Sequence, residues 1–227
     1  MTFVKAVLFD LDGTLVDSLP EIYEGVRRTS EDMGYLPPTQ KQVGDMIGRG
    51  PGVLVDRVCG VLGLDEAGRR QFMSRLVENW AETDGRLITF YPGVIDGLQS
   101  LRAEGIKTAL VTNKLRSLTV SFLRDRKIEH LFDAVVAGDD CERNKPAPDM
   151  LLKALEELGV PAADAVMVGD SRNDALAARA AGVTAALVET GYNEGVGISE
   201  WAREAGFNKI FVGAGKVCEL IAGTGRL

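Results

Sequence analysis

The sequence is poor in the residues that most often bind transition metals or form disulfides. It has one histidine, His130, and three cysteines, Cys59, Cys141 and Cys218. No two of the cysteines form a CxxC pair, whereas structural zinc sites use closely spaced cysteines and histidines. A zinc site and a disulfide framework are therefore both disfavoured.

Long apolar runs and an excess of positive charge are also absent. The sequence has no run of about 18 apolar residues to span a bilayer, and its apolar start is shorter than a signal peptide requires. The 33 acidic side chains outnumber the 26 basic ones, for a net charge of −7, whereas a nucleic-acid backbone is bound by a basic face. We expect a cytoplasmic protein, monomer or homodimer, that binds neither nucleic acid nor membrane.

Apolar segments of strand length alternate with helical patterns along the chain. The predicted strands are residues 4–9, 107–111, 134–137, 165–168, 184–188 and 209–212. They are continuously apolar, which is typical of parallel strands covered on both faces. The sequence therefore predicts an α/β fold with a doubly wound, Rossmann-like parallel sheet.

One long interval departs from this alternation. Residues 16–86 contain no convincing strand, only helical patterns separated by glycine and proline. The first of these helices begins with a capping-box spacing, Ser18 and Glu21. We expect a helical domain at 16–86, inserted into an α/β core formed by 1–15 and 87–227.

Four carboxylates are predicted to lie at one edge of the sheet. Asp10 and Asp12 follow the first strand, and Asp170 and Asp174 follow a later one. Ligands of open α/β sheets bind beyond the carboxyl ends of the strands. Carboxylates gathered there repel one another unless a cation offsets their charge, and Mg²⁺ prefers such oxygen ligands. A plainer interpretation, which applies most readily to Asp174, is that each aspartate caps the next helix.

Three further polar residues fall near strand ends. Thr112 and Asn113 follow the second long strand, and Lys145 lies in a loop with the two prolines of "NKPAPD". A hydroxyl, free backbone N–H groups and an ammonium are suitable donors to phosphate oxygens. Alone, each residue has an ordinary structural role, but together with the carboxylates they predict a site for a phosphate ester.

The motifs resemble those of a known group of enzymes. "DLDGT", "VTN", "KPAPD" and "GDSRND" are similar, in order and spacing, to the four motifs of the haloacid dehalogenase superfamily, and the helical insertion resembles its alpha-helical cap. The segments "YPGV", "VTNK", "DSRNDALAARAAG" and "GYNEG" resemble the phosphoglycolate phosphatases of that superfamily. The resemblance implies Mg²⁺-dependent hydrolysis of a small phosphate monoester through an aspartyl phosphate.

The resemblance also implies roles for individual residues. Asp10 would attack phosphorus, and Asp12 would protonate the leaving alcohol and then activate water. Thr112 and Lys145 would hold the transferring phosphoryl group.

The metal ligands are implied in the same way. Mg²⁺ would be bound by the Asp10 side chain, the Asp12 backbone carbonyl and Asp170, with Asp174 acting through water.

Substrate selectivity leaves more than one interpretation open. Arg49, in the "GRGPG" loop of the insertion, could bind a substrate carboxylate or could simply be solvated. A beta-phosphoglucomutase-like enzyme and a phosphosugar phosphatase share all four motifs, although the mutase cap supplies a histidine and His130 lies outside 16–86. A binding module without turnover is the most remote alternative, since all the catalytic groups are present.

Overall fold

The structure, a computed structural model, describes residues 3–83 and 85–227. Within these residues the strands are β1 (Ala6–Phe9), β2 (Val16–Asp17), β3 (Thr89–Phe90), β4 (Lys107–Val111), β5 (Ala134–Val136), β6 (Ala165–Gly169), β7 (Thr184–Val188) and β8 (Ile210–Phe211). The α-helices are α1 (Leu19–Asp32), α2 (Gln40–Gly44), α3 (Gly50–Leu62), α4 (Glu66–Thr83), α5 (Val94–Ala103), α6 (Arg116–Asp125), α7 (Asp149–Leu158), α8 (Arg172–Ala181), α9 (Ile198–Glu204) and α10 (Ala214–Thr224). None of these helices is both long and apolar enough to cross a lipid bilayer.

Six of the strands form one parallel sheet. Its order is β5-β4-β1-β6-β7-β8, and every pairing within it is parallel. The predicted fold class is confirmed. Strand β1 lies between β4 and β6, so the carboxyl ends of these three strands are neighbours at one edge of the sheet.

Both faces of the sheet are covered, which explains why its strands are continuously apolar. Val7 and Phe9 pack on one face in a cluster that includes side chains of α5 and α10. Ala6 and Leu8 pack on the other face with α7 and α8. All four side chains of β1 are fully buried, because successive side chains of a strand point to opposite faces.

Helices α1 to α4 form a layer with an apolar cluster of its own. That cluster contains Val26 of α1, Val43 of α2, Val55 of α3 and Phe72 of α4, all fully buried. The predicted helical character of this interval is confirmed.

The prediction that residues 16–86 contain no strand is wrong at one end. Strand β2, at Val16–Asp17, pairs antiparallel with β3, at Thr89–Phe90. These two segments carry the chain into and out of the helical layer side by side. Each is two residues long, too short to give a recognisable alternation in the sequence.

The predicted capping box at the start of α1 is also wrong. Ser18 precedes the helix but makes no side-chain cap, and the phenolic oxygen of Tyr192 accepts the backbone N–H of Ser18 at 3.0 Å instead. The Glu21 carboxylate accepts the N–H groups of Gly85 at 2.8 Å and Leu87 at 3.1 Å. Contacts distant in sequence have replaced the local cap.

Candidate active site

The predicted site residues converge where β1, β4 and β6 end. Asp10 follows β1, Thr112 follows β4 and Asp170 follows β6, and these strands are adjacent in the sheet. Lys145 reaches the same place from the loop between β5 and α7. The topology therefore brings together groups that are widely separated in sequence.

Three carboxylates form a cluster that could hold a metal ion. Oxygens of Asp10, Asp170 and Asp174 lie within 4.8 Å of one another. All the candidate ligand atoms are carboxylate oxygens, which suit a hard divalent cation. The Asp12 carboxylate is not part of this cluster.

Lys145 offsets part of the negative charge. Its ammonium lies 2.9 Å from Asp10 Oδ1 and 2.7 Å from Asp174 Oδ1, and it also donates to the Val111 carbonyl at 2.7 Å. The side chain is 2% exposed. Burial lowers the pKa of Lys145, but Asp10 and Asp174 outweigh burial and hold that pKa above its usual value.

Two carboxylates of this cluster have raised pKa values. Burial raises the pKa of Asp10 to about 8, although Lys145 lowers it and the charge of Asp174 raises it further. Burial and the charge of Asp174 raise the pKa of Asp170 to about 7, against the hydrogen bonds that it accepts. A cation bound between them would favour the charged forms of both.

Asp170 is fixed in position by its neighbours. Its Oδ1 accepts the Thr14 hydroxyl at 2.8 Å, and its Oδ2 accepts the Tyr192 backbone N–H at 2.9 Å. A Cβ at Gly191 would lie 1.8 Å from Asp170 Oδ2, and one at Gly13 would lie 2.6 Å from it. Only glycine fits at these two positions without displacing the carboxylate.

Asp174 has two structural partners. It forms a capping box with Ser171 at the start of α8, and its Oδ2 accepts the Ser171 hydroxyl at 2.7 Å. Its Oδ1 accepts from Lys145 at 2.7 Å. Since both oxygens already have donors, the capping interpretation and a place in the acidic cluster apply to the same residue.

Asn113 and Thr112 differ in what their side chains do. The Asn113 amide donates to the Lys145 carbonyl at 3.0 Å and accepts the Lys145 N–H at 3.1 Å, which braces the lysine loop. Thr112 is 1% exposed and lies in the wall of a cavity above Asp10 and Asp12.

This cavity lies between the sheet edge and the helical layer. Its volume is about 60 Å³, and since one water needs about 10–15 Å³ by the same measure, it has room for only a few small groups. The helical layer lines it with mainly apolar side chains, including Ile22, Ile47, Leu54 and Trp80. As it stands, the cavity admits only a small molecule.

Arg49 is the one predicted site residue that lies apart from the others. Its side chain is exposed at the start of α3, and it is not among the residues of the cavity wall. The backbone of the same loop does approach the site, because the Gly48 carbonyl accepts from the Asn113 amide at 3.3 Å. A substrate contact by Arg49 stays a prediction.

Sequence reasoning missed Lys114, the residue that contacts Asp12. The Lys114 ammonium lies 3.2 Å and 3.4 Å from the two Asp12 oxygens. Lys114 stands beside Thr112 and Asn113 in the "VTNK" segment. That adjacency was the available signal, but neighbours along the chain do not reveal a contact with Asp12.

A second cluster, also missed, joins the helical layer to the sheet. The Glu194 carboxylate accepts from Arg57 of α3 at 2.7 Å and from Arg172 of α8 at 2.5 Å. Partial burial raises the pKa of Glu194, but the hydrogen bonds from the two arginines outweigh it and lower the pKa to about 2. Glu194 has φ 53°, in the left-handed region that non-glycine residues seldom adopt. Glu194 therefore links α3 of the helical layer to α8, which packs on the sheet.

Comparison with known proteins identifies the family. Residues 7–188 match the model of the haloacid dehalogenase-like hydrolases. The chain belongs to this family. The resemblance seen in the four motifs is thereby confirmed.

Individual members of the family are similar over most of the chain. Phosphoglycolate phosphatase 1 of Pseudomonas aeruginosa is 39% identical over 202 residues, which are 87% of this chain and 74% of that protein. A plasmid-encoded phosphoglycolate phosphatase of Cupriavidus necator is 42% identical over 188 residues, 82% of this chain and 81% of that protein. A crystal structure described as a predicted phosphoglycolate phosphatase from Haemophilus somnus 129PT superimposes with a TM-score of 0.89 at 29% identity, over 97% of this chain and 99% of that one.

We predict that Glu194→Gln destabilises the protein at pH 7. The amide keeps the shape of the side chain but loses the charge that pairs with Arg57 and Arg172. The expected loss is about 1.5–3 kcal/mol in the free energy of unfolding, as for hydrogen bonds to charged groups. Urea unfolding measures it.

The pH dependence of this loss follows from the lowered pKa of Glu194. A carboxylate with a lowered pKa in the folded state stabilises the protein above its unfolded pKa, and that contribution falls away as the pH drops from 4.5 toward 2. The difference between wild type and Glu194→Gln should therefore shrink below pH 4.5. The control is Glu31→Gln, which removes an exposed pair with Arg27 and should cost no more than about 0.5 kcal/mol. Equal losses in the two variants would contradict the interpretation.

Proposed function

We propose that this protein is a Mg²⁺-dependent phosphatase that hydrolyses a small phosphate monoester through an aspartyl phosphate on Asp10. One observation carries the proposal: Asp10 opens onto a small cavity while its carboxylate lies in an acidic cluster and 2.9 Å from the Lys145 ammonium. A carboxylate so placed can attack an electrophilic phosphorus above it. The names of the similar enzymes support the same reaction.

In the first step of the proposed reaction, an Asp10 oxygen forms a bond to phosphorus as the ester oxygen leaves. Asp12 delivers a proton to the leaving oxygen, so the product is a neutral alcohol. Asp12 is suited to this role because its carboxylate lines the cavity and stands outside the acidic cluster. It can therefore face the leaving oxygen while Lys114 holds its carboxylate in place.

In the second step, water attacks phosphorus and Asp10 is regenerated. The Asp12 carboxylate, now without its proton, accepts one from the attacking water. Inorganic phosphate is released, and Asp12 is again protonated for the next turnover. Thr112 and the N–H groups around Asn113 bind the phosphoryl oxygens during both steps, and the charge of Lys145, beside Asp10, helps to hold the phosphoryl group.

The acidic cluster fits a magnesium ion. Asp10 and Asp170 would hold it with the Asp12 backbone carbonyl, and Asp174, which accepts from Lys145 and Ser171, would act through water. When bound, the ion offsets the negative charge of the phosphate and of the carboxylates around it.

The proposal includes a division of the chain. Residues 16–86 are the helical cap, and 1–15 with 87–227 are the catalytic core; residues 1, 2 and 84 of these ranges lie outside the described part. The separate apolar cluster of α1 to α4 supports this boundary, as does the pairing of β2 with β3 at its base.

Phosphoglycolate is the proposed substrate. The cavity above Asp10 is small, and the similar enzymes from Pseudomonas aeruginosa and Cupriavidus necator are named for this ester. A panel of phosphate esters tests the assignment by release of inorganic phosphate. Conversion of glucose 1-phosphate to glucose 6-phosphate, with little phosphate released, would overturn it in favour of a mutase.

We predict that Mg²⁺ raises the melting temperature, and does so more at pH 8 than at pH 6. Without metal, the raised pKa values of Asp10 and Asp170, about 8 and about 7, make the folded state hold protons that the unfolded state has lost. Stability of the metal-free protein therefore falls as pH rises toward 8. Protons also compete with the cation at pH 6, so the metal binds better at pH 8. Thermal unfolding with and without MgCl₂ measures both effects.

The matched variants for this measurement are two aspartate-to-asparagine changes. Asp170→Asn should remove most of the Mg²⁺-dependent shift, whereas Asp96→Asn, on α5 and outside the cluster, should keep it. A full shift in Asp170→Asn would contradict the metal assignment.

We predict that Asp10→Asn abolishes phosphate release, since an amide is a poor nucleophile. Asp12→Asn should lower kcat by about 10²–10⁴-fold, the usual contribution of general acid–base catalysis, while substrate binding is largely retained. Steady-state kinetics on phosphoglycolate give both values, with Asp96→Asn as the control. Wild-type activity in Asp10→Asn would exclude the covalent route.

A further inference from the structure

The cavity above Asp10 contains a single positive side chain. Of the described residues in its wall, Lys114 is the one cation. Its side chain is 12% exposed, so the ammonium is largely removed from bulk water. Lys145 binds Asp10 and Asp174 and is not part of the wall, and Arg49 is exposed outside the wall.

Lys114 has donors to spare. An ammonium carries three N–H groups, and Asp12 is the one acceptor for them among the described residues. The contacts, at 3.2 Å and 3.4 Å, are longer than the distance of about 2.8 Å that is typical of a strong charge-assisted pair. The ammonium is therefore able to bind a second anion in the cavity.

The rest of the cavity offers little to a second anionic group. Ile22, Leu54 and Trp80 line its helical side, and a carboxylate placed against them without a cation would lose its hydration and gain nothing in return. A substrate that carries a carboxylate must bring it to Lys114.

The distances allow this contact in a two-carbon acid. Asp12 must lie within hydrogen-bond reach of the ester oxygen to protonate it, and Lys114 is 3.2 Å from Asp12 Oδ1. In phosphoglycolate one methylene separates the ester oxygen from the carboxyl group, so a carboxylate oxygen lies about 3 Å from the ester oxygen. The proton donor and the carboxylate-binding cation are thus neighbours, as the two oxygens are in the substrate.

We propose that Lys114 binds the substrate's carboxylate and so selects small phosphorylated acids over neutral phosphate esters. This inference rests on the proposed phosphatase function and goes beyond it by assigning the residue that sets the substrate class. Because Lys114 lies 3.2 Å from Asp12, one ammonium can contact both the Asp12 side chain and the carboxylate of the substrate.

The experiment compares two esters of equal length, phosphoglycolate and 2-hydroxyethyl phosphate, which differ in a carboxylate and a hydroxymethyl group. The ratio of their kcat/KM values is measured for wild type, Lys114→Gln, Lys114→Arg, Arg49→Ala and the control Lys216→Gln, a change at an exposed lysine of α10. Wild type should prefer the acid by about tenfold or more, and Lys114→Gln should lower the ratio by about tenfold to a hundredfold. Lys114→Arg should recover part of the preference, and the other two variants should keep it.

The outcomes separate this inference from the function on which it rests. No phosphate release from either ester by wild type would overturn the proposed function itself. Release without preference for the acid, which needs no variant to observe, would overturn the role of Lys114 alone. An equal loss of kcat/KM on both esters in Lys114→Gln would also overturn it, because the lysine would then act only on Asp12. A loss of the preference in Arg49→Ala but not in Lys114→Gln would overturn it too.

Discussion

The site depends on one buried ammonium placed among carboxylates. Lys145 lies within 2.9 Å of Asp10 and 2.7 Å of Asp174 and is almost fully buried. Without it, Asp10 and Asp174 would be buried together with no cation paired to either among the described residues, at a large cost in free energy. Asn113 holds the backbone of Lys145 through two hydrogen bonds. The position of the lysine is therefore set by the end of the neighbouring strand β4.

One lysine does not complete the compensation. The pKa values of Asp10 and Asp170 stay raised by burial and by neighbouring charge, which leaves the site suited to a divalent cation. Positive charge is also scarce in the cavity wall, where Lys114 is the one cation among the described residues. On the cavity side, Asp12 and Lys114 form a second and looser pair. In our account, Lys145 with the metal serves the phosphoryl group, and Lys114 serves the part of the substrate beyond it.

Much of this arrangement could be predicted from the sequence, because it depends on local patterns and on topology. Continuous apolar segments predicted the parallel strands, and the strand at Lys107–Val111 has the predicted bounds. Residues that follow the central strands must meet at one edge of a parallel sheet, so the sequence pattern alone groups Asp10, Thr112 and Asp170. The contacts that escaped prediction join segments distant in sequence. Glu21 has the spacing of a cap for Ser18, but the free N–H groups of Gly85 and Leu87 bind it instead.

The docking of the helical layer on the sheet was equally inaccessible. Nothing in the local sequence relates Arg57 to Glu194, which are 137 positions apart, or Lys114 to Asp12. These contacts form only when the chain has folded and distant segments have come together. The functional consequence is that the chemistry can be predicted from strand ends, whereas the preference that we propose among substrates depends on contacts that only the folded chain shows.

The central claim is that Asp10 becomes covalently phosphorylated. The most direct measurement is a rapid acid quench of wild-type enzyme during turnover of phosphoglycolate labelled with ³²P, followed by peptide mapping. The account predicts label on the peptide that contains Asp10, sensitive to hydroxylamine as an acyl phosphate is, and none in Asp10→Asn. Steady release of labelled phosphate with no label on Asp10 at any quench time, or label on another residue, would contradict it.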